Sequence, residues 1–293
     1  MRELDDYLNW CNSQYKNSNH CQCGTNCSNN HYCDNTLQTD CYQCIKRVHS
    51  YKNYTIHYNC EKMLYCYVLK HCYRFVVEIF FEFHRLRSDF INWNEIYILS
   101  IGCGPCTELF GAMLQWRKMG KHDLFFHYRG FDTETLWQPF MNMVCSSFTN
   151  SDVEADNSNA FIYYQTHNEK VDVIVLNYML SDMFKFQNNQ YDQFLENLIN
   201  LIRQKKPHYL LVNDIYLILS IGATNRMLRF FKSAGFTFEY DKYQYHCVNP
   251  YIGQFGNIVA PKPSYSLPNA EIAREYNPFS QVNSIQTMIK FNY

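Results

Sequence analysis

The sequence predicts an α/β protein in which helices cover both faces of a mainly parallel, seven-stranded sheet. From residue 91 onward, short apolar runs alternate with stretches of helical periodicity, which is the pattern of strands joined by crossover helices. The first of these runs is rich in β-branched and aromatic residues, as expected for a strand that is buried on both faces. A chain of 293 residues is long enough for one such domain and a smaller module before it.

Seven apolar runs are the predicted strands. The first is the run EIYILSI that begins at residue 95. The others cover residues 125–131, 160–165, 171–177, 208–213, 236–246 and 285–291. Helices are predicted around residues 133–146, 189–203 and 223–234, where the apolar residues repeat at three and four.

Residues 61–90 are predicted to form one connecting helix before the first strand. The segment contains no Gly or Pro, and its apolar residues repeat over a wide arc. Arg74 and Glu78 are four residues apart, so we expect them to pair on the helix surface.

Cysteine is concentrated near the N-terminus, since ten of the 14 cysteines lie in the first 72 residues. The chain begins MRELDDYLNW, without the apolar segment of a secretion signal, so the cluster indicates metal ligands rather than disulfides. Residues 11–60 show no helical or strand periodicity, and one or two zinc ions would supply the stability that a small module over residues 1–60 lacks. The predicted ligands, whose pairing the spacing leaves open, are Cys21, Cys23, Cys27, Cys33, Cys41, Cys44, His49 and Cys60. The alternative is a loose segment of reduced cysteines without metal.

A glycine turn follows the first strand. Gly102 and Gly104 are separated by one residue, and Thr107 has the spacing of a helix start. Glycine allows a tight turn and a close approach of the backbone to a ligand, and a helix N-terminus offers unpaired N–H groups. A dinucleotide-binding fingerprint has a third glycine where Thr107 stands, which disfavours that class of ligand.

The stretch Ile101–Pro105 (IGCGP) resembles motif I of class I S-adenosylmethionine (SAM) dependent methyltransferases, whose fold is Rossmann-like. Ser100 replaces the usual acid of that motif and Cys106 replaces its last glycine. The resemblance covers residues 91–293. It implies an antiparallel strand pair at one edge of the sheet and a SAM site that includes Gly102, Cys103 and Gly104. In this family a helix before the first strand often covers the cofactor pocket, so the alternative to the surface pair is that Tyr73, Arg74 and Glu78 reach into that pocket.

Four further positions take roles from this resemblance. Residues 128–132 (YRGFD) are similar to motif II, so Asp132 would bind the ribose hydroxyls; capping a helix before Thr133 is the alternative. Thr166 follows the predicted third strand, where the family reads the adenine ring. Asn177 and Tyr178 occupy the motif IV position between methyl donor and acceptor, and Asn177 would also contact the cofactor.

Asp214 closes the predicted fifth strand. It would bind the substrate or act as a general base, or it would cap the next helix. A further alternative pairs Asp214 with Asp182 in a divalent-metal site, where hard oxygen ligands hold Mg²⁺.

The resemblance implies transfer of a methyl group from SAM to an acceptor, driven mainly by proximity and alignment. The net charge of −1 gives no global attraction to nucleic acid, and no window is apolar enough to span a membrane, so a cytoplasmic protein is expected. Zinc modules joined to methyltransferase domains imply a macromolecular acceptor, with RNA slightly ahead of DNA or protein. The alternative is a non-catalytic zinc protein of the same fold that docks a partner, which the changes in motif I favour.

Overall fold

The structure is a computed structural model that describes residues 1–17, 41–48, 58, 60–186, 188–249, 252–255, 258–260, 270–278 and 282–293. Its strands are β1 (Glu95–Ile101), β2 (Phe125–Phe131), β3 (Asp152–Asp156), β4 (Val173–Asn177), β5 (Tyr209–Ile215), β6 (Phe238–Asn249), β7 (Ile252–Phe255), β8 (Ile258–Ala260) and β9 (Val282–Phe291). Within these ranges they form one nine-stranded sheet in the order β3-β2-β1-β4-β5-β9-β6-β7-β8.

The five strands β3, β2, β1, β4 and β5 are parallel, whereas β9 runs antiparallel to both β5 and β6. The expected mainly parallel sheet with an antiparallel edge is therefore confirmed. The seven-stranded sheet is formed by β1–β6 and β9, and the short strands β7 and β8 extend it beyond β6.

The helices are α1 (Arg2–Asn17), α2 (Cys41–Val48), α3 (Glu61–Phe90), α4 (Thr107–Lys118), α5 (Gln138–Ser147), α6 (Ala160–Thr166), α7 (Leu180–Phe186), α8 (Asn188–Lys205), α9 (Ile218–Ser233) and α10 (Ala270–Tyr276). One core contains residues of α1, α3, α4 and α5, and a second contains residues of α6, α8 and α9. The helices thus cover both faces of the sheet, and the predicted helix over residues 61–90 is confirmed. Among the helices of the described ranges, none is both long and apolar enough to cross a membrane.

The third strand was predicted at the wrong place. Residues 160–165 belong to α6, and the third strand is Asp152–Asp156. Asn159 begins the helix, because its side-chain oxygen accepts hydrogen bonds from the backbone N–H groups of Phe161 and Ile162. The true strand (DVEAD) has no apolar run because it is partly exposed at the edge of the sheet.

The expectation of irregular structure over residues 11–60 is wrong for residues 11–17 and 41–48, which lie in α1 and α2. Leu4, Leu8 and Cys11 are at most 1% exposed and share a core with residues of α3 and α4. The Arg117 guanidinium on α4 donates two hydrogen bonds to the Glu3 carboxylate, at 2.7 and 2.9 Å. Helix α1 therefore packs on the main domain.

Helices α3 and α4 pack closely at Gly111. A Cβ atom at this position would lie 2.8 Å from the backbone oxygen of Val76 and 2.8 Å from the Cβ of Ile79. Glycine thus allows α4, and the turn before it, to approach α3.

Candidate functional site

The glycine turn joins the carboxyl end of β1 to the start of α4. Strand β1 lies between β2 and β4. After β1 the chain continues to β2 and β3 on one side, and it then crosses to β4 and β5 on the other side. Ligands of open α/β sheets bind in the crevice at such a switch point. Gly102 and Gly104 have φ angles of +69° and +47°, which glycine adopts without steric cost. The N–H of Gly102 donates to the carbonyl of Phe131 at 2.7 Å, which ties the turn to the end of β2.

Asp132 faces this turn. One of its carboxylate oxygens accepts a hydrogen bond from the backbone N–H of Gly104 at 2.9 Å. The other accepts one from the backbone N–H of Glu134, also at 2.9 Å. Burial raises the pKa of the Asp132 carboxyl, while these backbone donors oppose the shift. The expected juxtaposition of Asp132 and the glycine turn is thus present, and ribose binding stays a prediction.

Two side chains cover the glycines. A Cβ atom at Gly102 would lie 2.8 Å from Cγ of Met179, and one at Gly104 would lie 3.5 Å from the indole of Trp137. Trp137 is 4% exposed and packs against the rings of Tyr58 and Tyr67, with centroid distances of 5.9 and 5.7 Å. An aromatic wall therefore stands over the turn.

The chemical groups that line this crevice fit an adenosine ligand. The carboxylate of Asp132 can accept hydrogen bonds from vicinal hydroxyls, and the indole of Trp137 is an aromatic surface for a base. The space fits only after the side chains of Met179 and Trp137 turn away from the two glycines, because both now lie at contact distance. Met179 is unbranched and rotates easily, so its displacement is the smaller change.

Cys103 contributes its backbone to the turn, while its thiol points into the core. A Cβ atom at Gly130 of β2 would lie 3.0 Å from this sulfur, and Cys103 is 3% exposed. Burial raises the pKa of the Cys103 thiol well above its ordinary value.

The premise for Thr166 is wrong, because this residue ends a helix and not a strand. Its exposed hydroxyl donates a hydrogen bond to the carbonyl of Tyr163 at 3.1 Å. The third strand ends instead at Asp156, whose carbonyl accepts the N–H of Asp132 at 3.2 Å. Asp156 therefore stands at the strand end where Thr166 was expected, and the Asn159 cap was the signal that would have exposed the error.

Asn177 lies at the carboxyl end of β4 as expected, and both ends of its amide are engaged. Its amide nitrogen donates to Thr107 Oγ1 at 3.2 Å, and its oxygen accepts from Asn213 Nδ2 at 2.9 Å. Asn213 also donates to the carboxylate of Glu78 at 2.9 Å. This chain of hydrogen bonds joins α4, β4, β5 and α3, and the predicted role of Asn177 toward the substrate stays a prediction.

Tyr178 adopts a left-handed backbone with φ of 55°, which is a strained conformation for a bulky residue. Its hydroxyl donates to the Glu78 carboxylate at 3.0 Å, and its ring lies 4.1 Å from that of Phe75, centroid to centroid. Burial raises the pKa of the Tyr178 phenol well above its ordinary value. In this arrangement the ring contacts α3, and base stacking by Tyr178 stays a prediction.

Arg74 and Glu78 form the expected pair, but the expectation that it lies on the helix surface is wrong. Glu78 is fully buried, and its carboxylate contacts Tyr178 and Asn213 as well as Arg74, whose Nε lies 3.9 Å away. Burial raises the pKa of the Glu78 carboxyl, and the charge of Arg74 opposes this.

Asp214 caps α7. Its carboxylate accepts hydrogen bonds from the backbone N–H of Ser181 at 2.8 Å and from the Ser181 hydroxyl at 2.6 Å. Burial raises its pKa to about 6, and burial together with the charge of Asp214 raises that of Asp182 to about 7. The expected cap on the next helix is therefore wrong, because Asp214 caps the preceding helix α7, while α9 begins after Leu217 without a side-chain cap. A role for Asp214 as a base stays a prediction.

The structure supports no metal site in the part of the chain that it describes, where no three potential ligands come together. Cys21, Cys23, Cys27, Cys33 and His49 lie outside the described residues. The other three predicted zinc ligands, Cys41, Cys44 and Cys60, are buried in the same core as α1 and α3. The thiols of Cys66 and Cys41 lie close enough to Tyr15 that, after burial, they raise the pKa of its phenol.

No family model and no curated protein matches the chain. Solved structures do resemble it. A putative RNA methyltransferase, PH1948 from Pyrococcus horikoshii, is 9% identical over 72% of this chain and 82% of its own, with a TM-score of 0.42. The METTL16 MTase domain is 8% identical over 74% of this chain and 84% of its own, with a TM-score of 0.44. The plantazolicin methyltransferase BamL, solved with a desmethylPZN analog and SAH, is 12% identical over 75% of this chain and 86% of its own, with a TM-score of 0.45. At these identities and TM-scores, the likeness says nothing about what this chain binds.

Proposed function

We propose that this chain is a SAM-dependent methyltransferase that binds its cofactor at the glycine turn. One junction carries this assignment: at the switch point of the sheet, the Asp132 carboxylate lies on the N–H of Gly104, 2.9 Å away. A carboxylate and a glycine backbone at this place offer complementary contacts to the ribose and to the rest of a nucleoside ligand.

The cofactor would lie against Gly102, Cys103 and Gly104, with its ribose on Asp132. Asp156, at the end of β3, replaces Thr166 as the candidate beside the adenine. When bound, SAM supplies an electrophilic methyl group, and the protein would align the acceptor with it. Asn177 would contact the acceptor after exchanging its bond to Asn213, and Tyr178 and Asp214 would line the same side.

Calorimetric titration with SAM and with S-adenosylhomocysteine tests this assignment. Asp132→Asn keeps the shape of the side chain but removes its charge and one acceptor. We expect at least a tenfold loss of affinity, which corresponds to about 1.4 kcal/mol. Asp123→Asn, on an exposed residue before β2, is the matched control and should bind like the unaltered protein. Equal affinities for both variants would exclude Asp132 from the cofactor site.

The acceptor is proposed to be a macromolecule, with RNA ahead of DNA and protein. The Cys-rich segment before the domain supports this class, because such segments commonly hold large partners. Methyl transfer from tritiated SAM to a cellular extract, followed by RNase, DNase or protease treatment, identifies the acceptor. Label that survives all three digestions as a small molecule would refute a macromolecular acceptor.

A non-catalytic docking role is the second candidate, and the covered glycines favour it. Met179 and Trp137 lie against Gly102 and Gly104, and both carboxylate oxygens of Asp132 already accept backbone hydrogen bonds. Met179→Ala separates the two functions, since it uncovers Gly102 without changing a polar group. If neither the folded variant nor the unaltered protein binds SAM, the docking role is supported. If either of them binds SAM, the enzyme is supported.

Zinc binding remains part of the proposal for residues 1–60. Because Cys41 packs beside Tyr15 and Cys66 in the core, the cysteines before α2 are the stronger candidates. Elemental analysis of the purified protein should find one or two zinc ions per chain, and fewer in Cys21→Ser. The control Cys41→Ser should keep the full content.

A further inference from the structure

Two cysteines flank the centre of the glycine turn. Cys103 and Cys106 are separated by Gly104 and Pro105, and the Cys106 thiol lies 3.8 Å from the sulfur of Cys103. The backbone N–H of Cys106 donates to the carbonyl of Cys103 at 2.8 Å, so a tight turn already brings the two residues together. No part of the proposed methyl transfer uses these sulfurs.

We propose that Cys103 and Cys106 form a reversible disulfide across the glycine turn. A disulfide has an S–S distance of about 2.05 Å. The sulfurs must therefore approach by roughly 1.8 Å, which small side-chain rotations supply when the backbone is already turned. The crosslink requires only these two residues, so it is independent of what the crevice binds.

The oxidant is a small disulfide such as oxidised glutathione. The thiolate of one cysteine attacks a glutathione sulfur, which breaks the glutathione disulfide, releases one glutathione thiolate and forms a mixed disulfide. The thiolate of the second cysteine then attacks the protein sulfur of that mixed disulfide, and the second glutathione leaves. The two protein thiols lose two electrons and two protons, and the two glutathione molecules gain them.

The surroundings make this exchange slow. Cys103 and Cys106 are 3% and 0% exposed. The pKa of the Cys103 thiol is raised mainly by burial, and further by the neighbouring groups Cys106, Asp132 and Glu108. Little of this thiol is therefore ionised at neutral pH. Attack requires the turn to open, and the same burial protects the disulfide once it has formed.

The crosslink would act on the contact that defines the crevice. Gly104 lies inside the closed ring and donates its N–H to Asp132, and Cys106 is the residue before the first turn of α4. Oxidation would therefore fix the backbone of the turn and limit its opening to a ligand. If the crevice binds SAM, as proposed above, the oxidised protein should bind it more weakly.

Peptide mapping of the full-length protein tests the crosslink directly. The protein is equilibrated for a day in mixtures of oxidised and reduced glutathione, quenched with acid, alkylated and cleaved with trypsin. The peptide covering residues 88–117 contains Cys103 and Cys106 and no other cysteine. We expect it to lose both alkylation sites and two hydrogens as the share of oxidised glutathione rises, and to regain them with dithiothreitol.

Two variants sharpen the result. In Cys106→Ser, the same peptide should keep Cys103 as a thiol or as a glutathione adduct, whereas Cys145→Ser should form the disulfide as the unaltered protein does. The inference is overturned if the peptide keeps two alkylatable thiols in every mixture, or if either cysteine is instead joined to Cys11 or Cys72. Mapping of the unaltered protein decides the matter even where a variant fails to fold, and it is independent of SAM binding.

Discussion

Glu82 lies on α3, and its replacement by glutamine should change the free energy of unfolding by an amount that depends on pH. The side chain is fully buried, and within the described residues neither carboxylate oxygen has a hydrogen-bond partner. Burial raises its pKa to about 8; the charge of Arg85 opposes the shift, and that of Glu78 adds to it. The protein therefore folds with Glu82 protonated at neutral pH.

The sign follows from proton binding in the two states. An unfolded chain releases this proton near pH 4.3, and the folded protein keeps it up to about pH 8. The folded state thus binds more protons in this window, and its stability falls as the pH rises, by about 1.4 kcal/mol per pH unit. Between pH 5 and pH 7 the loss is about 3 kcal/mol.

Urea unfolding of the unaltered protein and of Glu82→Gln at pH 5, 6, 7 and 8 measures this loss. Glutamine cannot ionise, so the free energy of unfolding of the variant relative to the unaltered protein should rise with pH. Contributions of buried carboxyls that do not interact with Glu82, such as Asp214, cancel in the difference. Glu196→Gln, on the exposed face of α8, is the control and should give a constant difference near zero. A constant difference for Glu82→Gln would refute the reasoning.

Three further predictions concern stability, each measured by urea unfolding. Glu78→Leu should lower the free energy of unfolding by about 3–5 kcal/mol, because it leaves Arg74 as a buried, uncompensated charge. Arg74→Met in the same chain should recover part of that loss, and additive losses would contradict the coupling. Gly111→Val should cost more than 2 kcal/mol, because its side chain would overlap the backbone of α3, and a near-neutral result would mean that the helices separate freely. Ser181→Ala should cost about 1–2 kcal/mol and raise the pKa of Asp214 further, because the hydroxyl bond to its carboxylate is lost; an unchanged titration by NMR would exclude this bond.

The parallel core of the fold was predictable where strands are buried on both faces. Residues 171–177 and 208–213 carry apolar runs because a central strand has no exposed side, and both form strands near the predicted bounds. Strand β3 lies at the edge of the sheet and has the acidic sequence DVEAD. Its pairing with β2 therefore cannot be predicted from the hydrophobicity of its residues. The aromatic run of α6 was misread as a strand because periodicity cannot separate the two in a run this short.

The candidate site was predictable only where strand ends fix it. Asp132 and Gly104 meet because β1 and β2 are adjacent and in register, which follows from the order of the motifs. The partners of Asn177 and Tyr178 come from α3 and β5, and no local pattern reveals that Glu78 turns inward. The covering of the glycines by Met179 likewise depends on a rotamer chosen by tertiary packing.

Helix α1 has a practical bearing on any attempt to isolate residues 91–293 as a separate fragment. The ring of Tyr7 stacks on Phe110 of α4 at 5.4 Å, and that of Trp10 meets Phe140 of α5 at 5.6 Å. A fragment that starts at the first strand would leave these two aromatic surfaces bare, and bare surfaces of this kind drive self-association. The opening seventeen residues are thus a lining of the domain, and ligand screening should keep them in place.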